Sequence, residues 1–299
     1  MVRVLVTGIG GPAGSSLARQ LRAQGHWVGG VDMDPAAAAF GDHFAQVPGA
    51  GDPGYLGILK TLAAEWGCEL LIPTVSDELV AVAASADILG IPVLVGPADA
   101  VHTANDKYLT MQALAAAGVP VPGYGLPDGF ASAQEAHASL GHELVAKPRV
   151  SRGGRGVHVL EAARAGEEDA VAFWDSLDES WILQTFAPGV EYAPVVFAAE
   201  PGEPAFIAVL EKTELKEGRV GNAVSVRPVD APDVADLAGA VVAALGLSGP
   251  VDMDVRRLED GTPVVLEVNA RFGANSASAP GLLEAVLTSI GPAVDSPLV

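Results

Sequence analysis

The stretch VVLEVNARFG, residues 264–273, sets an acid, an amide and a base on a strand that otherwise reads as core. Val264, Val265, Leu266 and Val268 suit a buried strand, yet Glu267 and Asn269 interrupt the run and Arg271 follows. Successive side chains of a strand project to opposite faces, so Glu267, Asn269 and Arg271 share one face. PVDMDVRRL, residues 250–258, reads as the preceding strand, and the EDG turn, 259–261, holds the two side by side. Asp254 then joins Glu267 and Asn269 as a set of oxygen ligands for one hard cation. Magnesium suits such a set because it shares its coordination with substrate phosphates; manganese is the alternative ion. Arg271 falls beside the phosphate that would be transferred. The competing account is a surface ladder of ion pairs, each contributing about 1 kcal/mol or less; the position of Glu267 among valines argues against it.

Upstream, AKPRVSRGGRGVHV, residues 146–159, concentrates four of the 17 basic residues, Lys147, Arg149, Arg152 and Arg155, in a chain of formal charge −20. Gly153, Gly154 and Gly156 let a backbone approach a ligand closely. Exposed N–H groups with cationic side chains form an anion cradle, and strands at ELVAKP and VHVL make the loop a flap over polyphosphate. GIGGPAG, residues 8–14, satisfies a loose dinucleotide fingerprint, with Asp32 or Asp34 at the end of the second strand. Taken alone it suggests a nicotinamide-dependent oxidoreductase; tight strand-to-helix turn geometry is the other explanation of its glycines.

The 299 residues, 49% of them hydrophobic, suffice for two or three domains around large cores. The acidic balance excludes a broad nucleic-acid surface, which requires a basic face. Cys68 is the single cysteine, so neither an intrachain disulfide nor a Cys/His zinc cluster is available. The longest apolar runs fall short of the roughly 20 residues of a membrane span, and MVRVLVTG reads as a strand, not a leader; a cytoplasmic protein is expected. VRVLVT, HWVGGVD, LLIPT and IPVLVG alternate with helical segments, which predicts a doubly wound parallel sheet over residues 1–101. The run Ala36–Ala39 reads as plain helix. After Gly96 the pattern changes: NDKYLTMQALAAAG reads as a helix, and strands joined by hairpin turns predict antiparallel sheet. The fold class is α/β followed by α+β. None of the six histidines falls in a motif.

In this order and spacing, AKPRVSRGGRGVHV, LQTFAPGVEY, DMD and LEVNARFG resemble the ATP-grasp superfamily, and VLVTGIGGPAG with PTVSDEL resembles the domain that precedes it in the carbamoyl-phosphate-synthase-like branch. The resemblance implies a two-lobed module with a small lobe at 102–185 and a large lobe at 186–299. It implies ATP and a divalent cation as cofactors, with Lys107 and Lys147 on the nucleotide and Ser151, Arg152, Gly153, Gly154, Arg155 and Gly156 as the mobile loop. Gln184, Thr185, Phe186 and Ala187 correspond to the adenine hinge, Phe186 through its backbone, and Glu191 to the ribose acceptor. Asp254, Glu267 and Asn269 correspond to the metal ligands, and Arg271, with Glu267 and Asn269, to the catalytic group. Gln184 departs from the usual acid of the hinge, and Ala270 replaces the commoner proline. The activity implied is ATP-dependent phosphorylation of a small carboxylate followed by amide formation with an amine; phosphorylation of bicarbonate or carbamate is the alternative within the superfamily. Lys212, Arg219, Asn222 and Arg227 are expected near the carboxylate substrate, and Ser76 and Asp77 near the second substrate. A homodimer is compatible with the resemblance; nucleic acid and membrane are not expected partners.

Overall fold

The computed structural model describes residues 1–151, 155–216 and 218–294. The chain opens with β1 (Arg3–Thr7), α1 (Pro12–Ala23), β2 (Trp27–Asp32), β3 (His43–Gln46), α2 (Tyr55–Glu65), β4 (Leu70–Ile72) and α3 (Ser76–Ala84). The strands form a parallel sheet in the order β3-β2-β1-β4. Leu17 and Leu21 of α1 pack with Val4 and Val6 on one face, while Tyr55, Leu59 and Ala63 of α2 pack with Leu5, Val31 and Leu71 on the other. Covering on both faces is why these strands are apolar without alternation.

Two local expectations are corrected. IPVLVG contributes only an isolated bridge, Leu71 with Val93, because Pro92 has no N–H to extend the ladder. Ala36–Ala39 lies in a 3₁₀ turn, Pro35–Phe40, capped by the Asp34 carboxylate, which accepts from Ala36 N–H. The glycines of residues 8–14 serve turn geometry. Gly8 has φ +53°, and a Cβ on Gly14 would lie 2.3 Å from the Gly8 carbonyl oxygen. The Asp32 carboxylate accepts from Gly10 N–H at 2.9 Å and Asp34 N–H at 3.0 Å, so the acid at the end of β2 is engaged by its own loop.

The second part comprises α4 (Ala98–Asn105), α5 (Lys107–Ala116), β5 (Tyr124–Gly125), α6 (Ala133–Leu140), β6 (Glu143–Pro148), β7 (His158–Glu161), α7 (Glu168–Asp175) and β8 (Trp181–Thr185). Its antiparallel sheet has the order β5-β8-β6-β7. The last part is β9 (Glu191–Glu200), β10 (Glu203–Leu215), β11 (Ala223–Pro228), α8 (Pro232–Leu245), β12 (Gly249–Arg257), β13 (Pro263–Asn269) and α9 (Gly281–Val294), with the antiparallel order β11-β10-β9-β12-β13. One side of this large sheet shares a core with α8 and with Met111 and Leu114 of α5. The other side, through Val195, Phe197 and Leu210, shares a core with Phe272, with Leu282 and Val286 of α9, and with β1 and α1. Leu79 of α3 belongs to the α8 core together with Val265, Val268 and Ala270, which brings α3 to the end of β13. Among the described residues, no helix is long and apolar enough to cross a membrane.

Candidate active site

The site is built on the β12–β13 pair. Its register sets Asp254 opposite Glu267 and Asp252 opposite Asn269. Directly paired residues of an antiparallel ladder share a face, with Cβ atoms about 4.5–5.5 Å apart, so four oxygen-bearing side chains crowd one patch. A register shift between Asp254 and Val255 leaves Leu266 as the extra residue. Its carbonyl oxygen accepts from Lys147 Nζ at 3.0 Å and Gln184 Nε2 at 3.4 Å. The bulge thereby fastens the β6–β8 sheet to the large sheet and aims Lys147 at the acids.

Lysines neutralise the carboxylates. Lys212 Nζ donates to both Glu191 Oε1 and Asp254 Oδ1 at 2.6 Å. Burial alone would lower this ammonium's pKa, but Asp254 and Glu191 together raise it above the ordinary lysine range. Lys107 Nζ lies 3.5 Å from Glu267 Oε1 and donates to Ser151 Oγ at 3.2 Å. Its position is set by Asp106, which caps α5 by accepting from Tyr108 and Leu109 N–H and binds the Arg149 guanidinium at 2.7 Å. Asp106 was legible only as a helix cap; that it also orders Arg149 was not. Arg149, counted above in the anion cradle, is spent on this structural pair.

Lys147 is fully enclosed, and burial pushes its ammonium down to about 8 despite Glu267 nearby. An unfolded chain keeps this proton to the ordinary lysine range, about 10.4. Between those values the unfolded state binds more protons, so folding is favoured by rising pH. Wild-type protein is therefore expected to gain melting temperature relative to Lys147→Met from pH 7.5 to 10. Parallel melting curves for the two proteins across that range would show that Lys147 does not titrate there.

Arg271 closes the patch. Its Nη2 donates to Asn269 Oδ1 at 3.0 Å, its Nε to Ser76 Oγ at 3.2 Å and its Nη1 to the Phe272 carbonyl at 2.9 Å. Ser76, Lys107, Glu267 and Asn269 line a narrow cleft. Asp77 stands beside Ser76 in the first turn of α3. The segment expected to form the hinge is anchored internally: Thr185 N–H donates to Gly123 O and Phe186 N–H to Glu143 O, so the Phe186 N–H is already engaged. The buried Ala187 follows. The Phe186 ring lies under Arg219 at 4.4 Å and Arg256 at 4.9 Å.

The structure does not gather Lys212, Arg219, Asn222 and Arg227 at one place. Lys212 sits within the acid cluster, Arg219 makes a bidentate pair with Glu143, and Arg227 pairs with Glu211 on the β10–β11 hairpin. Asn222 is exposed and accepts Lys216 N–H through its carbonyl. Alternation along β10 was readable, but which face met the acids depended on the long-range pairing. Of the glycine-rich loop, Arg152, Gly153 and Gly154 lie outside the described residues. Ser151 contacts Lys107, Arg155 is exposed, and Gly156 has φ +72°. Asp252 was missed altogether. Burial pushes its carboxyl up to about 7, and its Oδ1 has no hydrogen-bond partner among the described residues.

Among the described residues, no group of three or more His, Cys, Asp or Glu side chains is arranged to hold a metal. The donor chemistry nonetheless fits a hard divalent cation through two carboxylates and one amide, Asp254, Glu267 and Asn269, and Lys107 and Lys212 supply positive charge beside these carboxylates.

Two antiparallel sheets thus converge lysines on a carboxylate pair. The chain belongs to the ATP-grasp family, whose domain matches residues 104–275. It is 31% identical over 195 residues to an uncharacterised protein of Sinorhizobium fredii, covering 59% of this chain and 38% of that one. It is 29% identical over 209 residues to a D-alanine–D-alanine ligase of Gloeobacter violaceus, covering 64% and 67%. The chain thus spans well under half the length of the first of these relatives. An L-amino acid ligase from Bacillus licheniformis has a similar fold, with TM-score 0.68 at 18% identity, covering 93% of this chain and 69% of that one.

Proposed function

We propose that the chain is an ATP-dependent carboxylate–amine ligase. The observation that carries this reading is the Asp254–Glu267 pair, matched by Lys107, Lys147 and Lys212 and closed by Arg271. Phosphoryl transfer needs alignment and charge neutralisation more than covalent participation by the protein, and this set supplies both. A carboxylate oxygen of the substrate attacks the γ-phosphorus and ADP leaves. The amine nitrogen of the second substrate then attacks the acyl carbon, phosphate leaves, and the nitrogen loses a proton. Lys107 and Lys147 orient the phosphates, Glu191 and the Gln184–Ala187 hinge orient the nucleoside, and Arg271 holds the transferred phosphoryl oxygens. A magnesium ion on Asp254, Glu267 and Asn269, when bound, would offset phosphate charge. The names of the D-alanine–D-alanine ligase and L-amino acid ligase relatives agree with this reading. We assign residues 1–101 to a doubly wound domain preceding the two lobes at 102–185 and 186–299.

Incubation with MgATP and pairs of amino acids is expected to release ADP only when both a carboxylate and an amine are present, and to consume no NADH. ADP release with bicarbonate as the only added carboxylate would reassign the activity to the carbamoyl-phosphate branch, and NADH oxidation without ADP release would return it to the dinucleotide reading. The self-engaged Asp32 carboxylate weighs against the latter.

A further inference from the structure

Asp252 has no part in the chemistry just described, yet it occupies the middle of the site. Asp254 is paired with Lys212 and Glu267 with Lys107; the Oδ1 of Asp252 is buried with no hydrogen-bond partner among the described residues. Arg271, the guanidinium beside it, directs its hydrogen bonds to Ser76, Asn269 and the Phe272 carbonyl instead. Packing fixes the acid in place: a Cβ on Gly273 would lie 2.2 Å from Asp252 Oδ1, so the carboxylate occupies space that any other residue at 273 would claim. The residue as a whole is only partly buried. An unpartnered acid in such a setting costs stability and is retained where a ligand satisfies it.

We infer that Asp252 binds the ammonium group of the carboxylate substrate, which is therefore an amino acid whose amine lies close to the carboxyl that is phosphorylated. The inference rests on the ligase reading. Its logic is the pairing of opposite charges. Asp252 faces Asn269 across the ladder, and Asn269 holds Arg271, so a carboxylate and a guanidinium stand next to one another. A zwitterion matches that pair, its carboxylate toward Arg271 and its ammonium toward Asp252. A plain carboxylate would leave Asp252 unmatched beside an added negative charge. A divalent cation on Asp252 is the competing occupant, and the manganese measurement below distinguishes it.

The test uses the full chain with MgATP and hydroxylamine, which captures an acylphosphate as a hydroxamate without needing the natural amine. The twenty proteinogenic L-amino acids and β-alanine are each compared with the acid lacking the amine, for example alanine with propionate and glutamate with glutarate. Wild-type protein is expected to favour at least one amino acid over its counterpart by about thirtyfold or more in kcat/KM, the value of a charged contact. Asp252→Asn is expected to bring that ratio close to one, chiefly through KM for the amino acid. Its affinity for MnADP, read from the manganese spin signal, should stay within about twofold of wild type, which also verifies the fold. Gly273→Ala, which displaces the carboxylate, should act in the same direction. If wild type makes hydroxamates equally well from the acids lacking the amine, or Asp252→Asn keeps the preference, the ligase reading stands and the Asp252 inference falls. A loss of MnADP affinity of about tenfold or more in Asp252→Asn would make it a metal ligand and overturn the inference as well. Hydroxamate from no carboxylate at all, with MnADP still bound, would remove the ligase reading and this inference with it.

Discussion

Glu267→Gln and Asn269→Ala are each expected to lower magnesium-dependent ADP formation by about a thousandfold or more, several kcal/mol of transition-state stabilisation, while the protein stays folded. Both side chains end in the open patch beside the cleft, so neither change leaves a cavity in the core; Val264, Val265 and Val268 bury the strand. Glu267→Gln also removes the charge opposite Lys107, and the remaining ammonium should retain the nucleotide phosphates. The two effects separate experimentally: steady-state ADP release should collapse, whereas ADP affinity without metal should hold or rise. Near-normal turnover in both variants would mean that the Asp254–Glu267 face is a surface ion-pair patch and not the site of phosphoryl transfer.

Arg271→Lys is expected to lower kcat by about a hundredfold, a loss typical of removing one preorganised donor from a transition-state charge, with little change in KM for ATP. A lysine keeps the charge but cannot reproduce the planar fork that reaches Ser76, Asn269 and the Phe272 carbonyl together. Because one arm of the fork holds α3 of the N-terminal sheet and another holds a metal-ligand candidate, the substitution should also raise KM for the second substrate. Unaltered kcat in Arg271→Lys would show that the guanidinium ties the parts together without serving the reaction. Ser76→Ala, which removes only the contact to α3, isolates the second effect: it should move KM for the second substrate and spare kcat.

Much of this was legible in the sequence. Apolar runs without alternation named the parallel strands, because a strand covered on both faces has no polar side to show. Glu267 and Asn269 stood out because a charged or amide side chain among valines has no packing role. Lys147 and Lys107 were readable through their neighbours in the AKP and NDK motifs. Where local pairing rules sufficed, as in the EDG turn joining β12 to β13, the register that sets Asp254 opposite Glu267 followed almost directly.

The remainder was decided by contacts distant in the chain. Asp252 looked like one more residue of a strand, since nothing in PVDMDV distinguishes an acid that meets Gly273 from one that faces solvent. Lys212 was grouped with Arg219, Asn222 and Arg227 near the carboxylate substrate, but the pairing of β10 with β9 turned its ammonium toward Glu191 and Asp254. Arg149 read as a phosphate ligand until Asp106, 43 residues earlier, claimed it. A sequence determines periodicity, turn chemistry and the inventory of charged groups because these depend on neighbours a few residues apart. Which charge meets which depends on sheet order and on the core shared by the N-terminal and large sheets, and those follow from burying apolar surface across the whole chain.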